Sequence, residues 1–406
     1  MTDEARTDEF PLAEDEPIDA DLQDNEDLTL EALSDLVLYT LDWSVQSLLE
    51  RVGTTFDVNP MFQRRDAWSR ERKSLYIESL VVGLPVPQIV LAEDRDRRGH
   101  FIVLDGKQRL TTVKQFAAPD ENYKSFKLKG LQFAHDLEGM TFDDMRNSLI
   151  GADLAESFLA QPIRTIVVRN WSNPAVLYQV FVRLNQGSLS LSPQELRQAL
   201  YPNEFTRWVN ERSARSEAIQ RARGLKGPDF RMRDAEMLLR YLAFRADLEG
   251  YRGNLRAFLD DACVTGGADW RRSGSDPFET MAGQCEQAIE RTFATFGERD
   301  AFRRFEDGAY NTRFNIAVFD AMTAVLGDEA VTNAALTEHA SEIKAQFEQL
   351  CDSDPDFADS LQTTTKSIGA TAKRIITLGE MVGSELDVDL GVVGRAKVLE
   401  ASTSNN

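Results

Sequence analysis

One short stretch combines the residue types that could hold a phosphate. Phe101–Leu104 are apolar or β-favouring residues, and Asp105 with Gly106 then supplies a turn in which the backbone can approach a ligand closely. Apolar residues at helical spacing follow, which predicts a helix that begins at this turn. The first turn of a helix has free N–H groups and the positive end of the helix dipole, and both favour an anion. The sequence adds five polar side chains there: Lys107, Gln108, Arg109, Thr111 and Thr112.

Two interpretations of this turn are open: a corner between strand and helix with solvated side chains, or a phosphate site. In the second, Lys107, Arg109 and the helix N-terminus hold the phosphates, and Arg64 is a second clamp. Asp105 is then available to bind Mg²⁺ or to orient water. Gln108 either positions a water molecule that attacks a bound phosphate or donates a hydrogen bond to a phosphate.

Two other segments carry polar residues next to predicted elements. In Asn59–Trp68, a turn is followed by alternating polar and bulky residues, and Gln63 and Arg64 are either solvated there or contact a phosphate. Asn185 follows a predicted helix and is either its C-cap or a site residue. The box Ser192–Glu195 has the spacing of a capping box, which accounts for its glutamate and predicts the start of another helix.

These motifs resemble those of one family in type and in order. Asp105–Thr112 resembles the Asp-Gly-Gln-Gln-Arg-x-Thr-Thr signature of the N-terminal domain of GmrSD-type restriction endonucleases, a relative of the ParB and sulfiredoxin fold. Pro60–Arg64 and Gly83–Pro87 resemble elements that precede this signature in the family. Phe181–Leu196 resembles its second signature, in which the residue matching Asn185 is the one most often implicated at the site. The resemblance covers about Leu41–Leu200.

The resemblance implies a nucleotide site and a function in defence. Relatives of this domain couple hydrolysis of nucleoside triphosphates to defence against foreign DNA, which implies Mg²⁺ as cofactor and Asp105, Gln108 and Arg109 as catalytic residues, with Asp105 as the metal ligand. The chain departs from the family at Lys107, where Gln is usual, and no His-Asn-His-type nuclease motif follows. The implied nucleotide- or phosphate-binding residues are Gln63, Arg64, Gly106, Lys107, Thr111, Thr112 and Asn185.

Charge and composition limit the partners. The 406 residues carry a net charge of −21, which by itself argues against nucleic acid as a partner. The charge is uneven, since residues 1–35 hold fourteen Asp and Glu against one Arg, whereas residues 51–115 and 207–240 are each locally basic. No apolar run approaches the roughly 18 residues of a spanning helix, and the N-terminus lacks the regions of a signal peptide. We therefore expect a cytoplasmic protein without a membrane partner.

Together these patterns predict an α+β protein, in which a ParB/sulfiredoxin-like N-terminal domain with a small mixed sheet is followed by an all-helical C-terminal domain. The spacing of apolar residues and of glycine and proline predicts five segments along the chain, and the resemblance implies that the second is ParB-like and binds a nucleotide. These are an acidic disordered tail (1–35), a ParB-like nucleotide-binding domain (36–205), a linker (206–230), a helical domain (231–385) and a tail (386–406).

The first functional hypothesis is a component of a prokaryotic defence system that binds and hydrolyses a nucleoside triphosphate as a switch or sensor, with a separate nuclease or effector protein as partner. The alternative is a non-catalytic regulator that binds DNA or a partner protein through the same basic pocket. A third hypothesis, a DNA nickase, needs clustered carboxylates, of which the sequence shows only Asp105.

Overall fold

The computed structural model describes residues 35–57, 68–174, 176, 177, 180, 192–362 and 367–402. The acidic segment 1–35 thus lies outside the described residues except for its last residue. Contacts divide the described chain into two compact units. We call the described residues of 35–246 and 257–289 the sheet unit, and those of 247–256 and 290–402 the helix unit.

Elements in the first part of the chain alternate between strands and helices before the chain becomes helical. Up to residue 247 they are β1 (Val37–Ser44), α1 (Val45–Arg51), β2 (Phe56–Asp57), α2 (Arg70–Val81), β3 (Ile89–Glu93), β4 (Phe101–Asp105), α3 (Lys107–Ala117), α4 (Phe142–Asn147), α5 (Ala152–Ala160), β5 (Pro162–Arg169), α6 (Pro193–Leu200), α7 (Glu204–Ser213), α8 (Glu217–Arg223) and α9 (Arg233–Asp247).

The remaining elements are helices and one short hairpin. They are α10 (Leu255–Ser273), α11 (Asp276–Phe296), β6 (Phe305–Glu306), β7 (Ala309–Tyr310), α12 (Ile316–Leu326), α13 (Asn333–Ser353), α14 (Pro355–Gln362), α15 (Ile368–Leu386) and α16 (Gly391–Ala401). Among the described residues, no helix combines the length and the apolarity that crossing a bilayer requires.

The sheet has five strands in the order β1-β5-β3-β4-β2 and is mixed. β1 is antiparallel to β5 and β3 is antiparallel to β4, whereas β5 with β3 and β2 with β4 are parallel. The predicted α+β class, with a small mixed sheet followed by a mostly helical region, is confirmed. β2 runs in the same direction as β4 but ends level with Ile102, whereas β4 continues to Asp105 and the start of β3 lies beside that end.

Helix α3 is held by a core of aromatic rings. Its Leu110, Val113 and Phe116 recur at helical spacing and are buried, and α1 and α2 pack against the helix. The Phe116 ring lies with its centroid 5.6–5.8 Å from those of three other phenylalanines: Phe126, Phe142 and Phe158. The position of α3, and so of the turn before it, depends on this cluster.

Two expected chain segments differ in the structure. Residues 206–230, predicted to be a linker, contain most of α7 and all of α8, and the boundary between the units falls between residues 246 and 290. The polar composition of this segment suggested a linker exposed to solvent. In the structure Arg212 instead pairs with Glu279 and Glu286 of α11. The last segment, 386–406, also contains a helix, α16.

The carboxylate of Glu78 on α2 fixes a loop that the sequence left unassigned. It accepts the backbone N–H groups of Gln132, Phe133 and Ala134 at 3.0, 2.7 and 2.8 Å. Burial raises the pKa of Glu78, but the three hydrogen bonds together outweigh burial and hold this pKa below its ordinary value. The folded protein therefore favours the ionised carboxylate.

Phe116→Ala should lower the free energy of unfolding of the sheet unit by about 3–5 kcal/mol, because it removes a ring that is 1% exposed from a packed cluster. Urea unfolding of the full chain, followed by fluorescence, measures the loss. Phe133→Ala is the matched control, since this ring is 66% exposed and its removal should change stability by no more than about 0.5 kcal/mol. Equal effects of the two substitutions would contradict the assigned core.

Glu78→Gln should destabilise the protein at pH 7, because an amide cannot accept three N–H bonds as strongly as a carboxylate can. The folded-state pKa of Glu78 lies below its ordinary value of 4.5. Its stabilising contribution is therefore present above pH 4.5 and is lost as the pH falls through the folded-state pKa. Urea unfolding at pH 7 and at pH 3.5 should show the two proteins converging at the lower pH. A constant difference would contradict the assignment.

Candidate phosphate site at the Asp105–Gly106 turn

The turn lies at the carboxyl end of β4 and at the N-terminus of α3, as the sequence predicts. Gly106 is the N-cap residue, in the left-handed conformation with φ +98°, and no side chain caps the helix. A Cβ atom at this position would lie 2.9 Å from Cγ1 of Ile89 and 3.3 Å from Nε and Nη2 of Arg109. Glycine is therefore needed for both its conformation and the space it leaves.

Arg109 is folded back over this glycine and is only 7% exposed. Its Nη2 donates to Oδ2 of Asp105 at 2.6 Å and to the carbonyl oxygen of Gln88 at 3.1 Å. Oδ1 of Asp105 accepts the N–H of Gly106 at 2.7 Å. The pair thus closes the turn and joins it to the segment that enters β3.

This arrangement changes the roles expected for two residues. The sequence suggested Arg109 as a phosphate clamp and Asp105 as a magnesium ligand, but in the structure each is the main partner of the other. Nε of Arg109 is buried and donates to no acceptor among the described residues, so one donor remains uncommitted. A phosphate or a metal ion can use these two side chains only by sharing or exchanging the bond between them.

Lys107, the first residue of α3, lies near Glu195 of the second signature. α6, which begins in that motif, lies against β4. The predicted capping box is confirmed, since Glu195 Oε2 accepts the N–H of Ser192 at 2.7 Å and Ser192 Oγ accepts the N–H of Glu195 at 3.1 Å. Burial raises the pKa of Glu195, while the Lys107 ammonium acts in the opposite direction. Described residues of both signatures, Lys107 and Glu195, therefore lie near the Asp105–Gly106 turn.

The other polar residues of α3 divide between the site and the helix interior. Thr112 is fully buried, and its hydroxyl donates to the carbonyl oxygen of Gln108 at 2.7 Å, so it serves the helix. Thr111 is also buried. Oε1 of the half-buried Gln108 has no hydrogen-bond partner within the described chain. The hydroxyl of Thr112 is thus committed to the helix, Gln108 remains a candidate for contact with a ligand, and the assignment of Thr111 stays a prediction.

Gln63, Arg64 and Asn185 lie outside the described residues. The first two follow β2, which runs in the same direction as β4 and ends level with Ile102. Asn185 precedes the capping box that begins α6. Their assignment to the site stays a prediction.

Tyr76 is a residue that sequence reasoning missed. It lies on the buried face of α2, and its ring is 5.6 Å from that of Trp68 and nearly perpendicular to it. Its hydroxyl is buried without a partner; burial raises the pKa of Tyr76, while nearby Arg109 acts in the opposite direction. Helical spacing alone assigns this ring to the core, and only the structure shows that its hydroxyl lies near the guanidinium.

Comparison with known families agrees with this architecture. Residues 45–202 match the family described as the GmrSD restriction endonuclease, N-terminal domain. Residues 45–202 are thus similar to a GmrSD N-terminal domain, and we call this segment the GmrSD domain after that match. The match begins at α1 and ends after α6, so it includes the Asp105–Gly106 turn and the capping box of Glu195. No curated protein and no solved structure matches the chain.

Gly106→Ala should destabilise the GmrSD domain more than Gly53→Ala does. Both glycines have a positive φ, which costs an alanine about 1–2 kcal/mol. A methyl group at Gly53 meets nothing within 4 Å, whereas at Gly106 it meets Ile89 and the Arg109 guanidinium. Urea unfolding of the two variants measures the difference. Equal losses would show that the close contact over the turn contributes nothing to stability.

Proposed function

We propose that the GmrSD domain binds a nucleoside triphosphate at the N-terminus of α3 and acts as a nucleotide-dependent switch in a restriction system against foreign DNA. The restriction theme rests on the family match. The nucleotide rests on one observation: α3 starts at a glycine without a side-chain cap, with Lys107 as its first residue, at the carboxyl end of β4. Ligands of sheets flanked by helices bind at the carboxyl ends of strands, and helix N-termini favour phosphates.

We also propose that the domain hydrolyses the bound triphosphate with Mg²⁺. Mg²⁺ normally binds through one or two carboxylates together with the phosphates of its nucleotide, and Asp105 is the carboxylate that the turn offers. Because Asp105 is paired with Arg109, the incoming phosphates would take over part of the Arg109 guanidinium and leave Asp105 to the ion. Gln108, with its uncommitted Oε1, is placed to orient the attacking water.

DNA binding by a different surface, the basic segment 207–240, receives less support. Arg212 pairs with carboxylates of α11, Arg233 pairs with Asp229, and Arg215 lies 3.8 Å from Glu211. Neutralised arginines gain little from a second anion, because a phosphate must first displace the carboxylate.

Lys107→Gln should weaken binding of the triphosphate about 10- to 100-fold, because it removes a charged donor while retaining a side chain that can form hydrogen bonds. Isothermal titration calorimetry of the full chain with the Mg²⁺ complexes of ATP, GTP, CTP and UTP measures affinity, and release of inorganic phosphate measures turnover. Arg109→Ala is a poorer test, since it also breaks the pair that closes the turn.

Lys114→Gln is the matched control, because Lys114 is in the last turn of the same helix. It should bind the nucleotide as the unmodified protein does. Thermal unfolding of both variants checks that they are folded. If the two substitutions left the affinity equally unchanged, or if no triphosphate bound to any form of the protein, the proposed function would be wrong.

A further inference from the structure

Two segments of the sheet unit carry six basic residues and a single carboxylate, that of Glu71. One segment is residues 68–74, at the start of α2, and the other is residues 123–131, between α3 and α4. The basic residues are Arg70, Arg72, Lys73, Lys124, Lys127 and Lys129. We call the surface that these six side chains form the basic surface.

Two hydrogen bonds bring the segments together. Nε of Arg70 donates to the carbonyl oxygen of Lys127 at 2.6 Å, and the N–H of Lys129 donates to Oγ of Ser74 at 2.9 Å. Both bonds are made by residues in the first turns of α2. The lysines of the second segment therefore lie beside the cations of α2, although the two segments are distant in the chain.

Two carboxylates fix the backbone next to these lysines. Oε1 and Oε2 of Glu138 accept the N–H groups of Gly130 and Leu131 at 2.9 and 3.0 Å. The next three N–H groups along the chain are those that Glu78 accepts. Both carboxylates thus bind the backbone, and the segment that carries the lysines is held in place without a partner.

Most of the positive charge on this surface is available to a partner. Four of the cations are exposed and form no ion pair within the described parts of the chain: Arg70, Arg72, Lys124 and Lys127. The Arg72 guanidinium lies 4.8 Å from the centroid of the Trp68 ring, and stacking of this kind leaves its N–H donors free to bind a phosphate. Lys129 pairs with Glu71 at 2.6 Å, but both side chains are about half exposed, so the pair is weak.

We propose that the basic surface binds the phosphate backbone of duplex DNA without regard to its sequence. Exposed lysine and arginine side chains neutralise phosphates and release the counterions of the duplex, whereas reading the bases needs side chains that enter a groove. A duplex fits better than a flexible polyanion, because its phosphates are fixed, as this backbone is, and neither partner loses much conformational freedom on binding. The inference does not depend on the nucleotide site at the Asp105–Gly106 turn, so each proposal can fail alone.

Lys124→Gln/Lys127→Gln should weaken binding of a duplex and flatten its dependence on salt. Each phosphate contact that is lost should lower the slope of log affinity against log salt concentration by about 1, so the double variant should lose about 2. Fluorescence anisotropy of a labelled duplex of roughly 20 base pairs, titrated with the full chain at about 50 to 200 mM NaCl, measures both quantities. Two duplexes of unrelated sequence should give the same result.

Arg98→Gln/Lys226→Gln is the matched control. It also removes two positive charges from exposed positions, outside the basic surface, where neither side chain forms an ion pair within the described residues. Affinity and slope should therefore stay those of the unmodified protein. Thermal unfolding should be unchanged in both double variants, because the replaced side chains are exposed and Lys127 binds Arg70 through its backbone carbonyl.

Three results would overturn the inference: no binding of either duplex at the lowest salt concentration, an unchanged affinity and slope in Lys124→Gln/Lys127→Gln, or equal losses in this variant and the control. A loss in Lys107→Gln instead would place the DNA at the Asp105–Gly106 turn. If no duplex binds, carbodiimide cross-links from Lys127 to carboxylates of residues 1–35 would assign the basic surface to the acidic segment of the same chain.

Discussion

The bond between Arg109 and Asp105 across Gly106 is the interaction on which the geometry of the turn depends. Nη2 of Arg109 also binds the carbonyl oxygen of Gln88, so one guanidinium joins the end of β4, the start of α3 and the entry to β3. The glycine allows this closure, because any side chain at its position would meet both Ile89 and the guanidinium. The Asp105–Thr112 motif thus first stabilises the turn. A ligand that binds there must share or exchange the bond between Arg109 and Asp105.

Charge compensation is the second constraint on this site. Both cations of the motif face carboxylates of the same chain, Arg109 facing Asp105 and Lys107 lying near Glu195. A site of this kind gains affinity only to the extent that a ligand replaces those partners. It therefore suits a switch better than a tight, permanent binding site.

Local rules predicted much of this fold, and contacts between distant residues account for what they missed. The strand, turn and helix around Gly106 and the cap at Ser192 follow from residue types within a few positions of one another. The pairing of Arg212 with α11 could not be predicted, because it joins residues that are far apart in the chain. For the same reason the burial of Lys107 near Glu195 was missed, although each residue was recognised in its own motif.

The most direct measurement is a crystal structure of the chain with Mg²⁺ and a β,γ-imido nucleoside triphosphate. Our account predicts that the phosphates lie within hydrogen-bonding distance of the first N–H groups of α3 and of the Lys107 ammonium. Phosphates bound at any other place would contradict it.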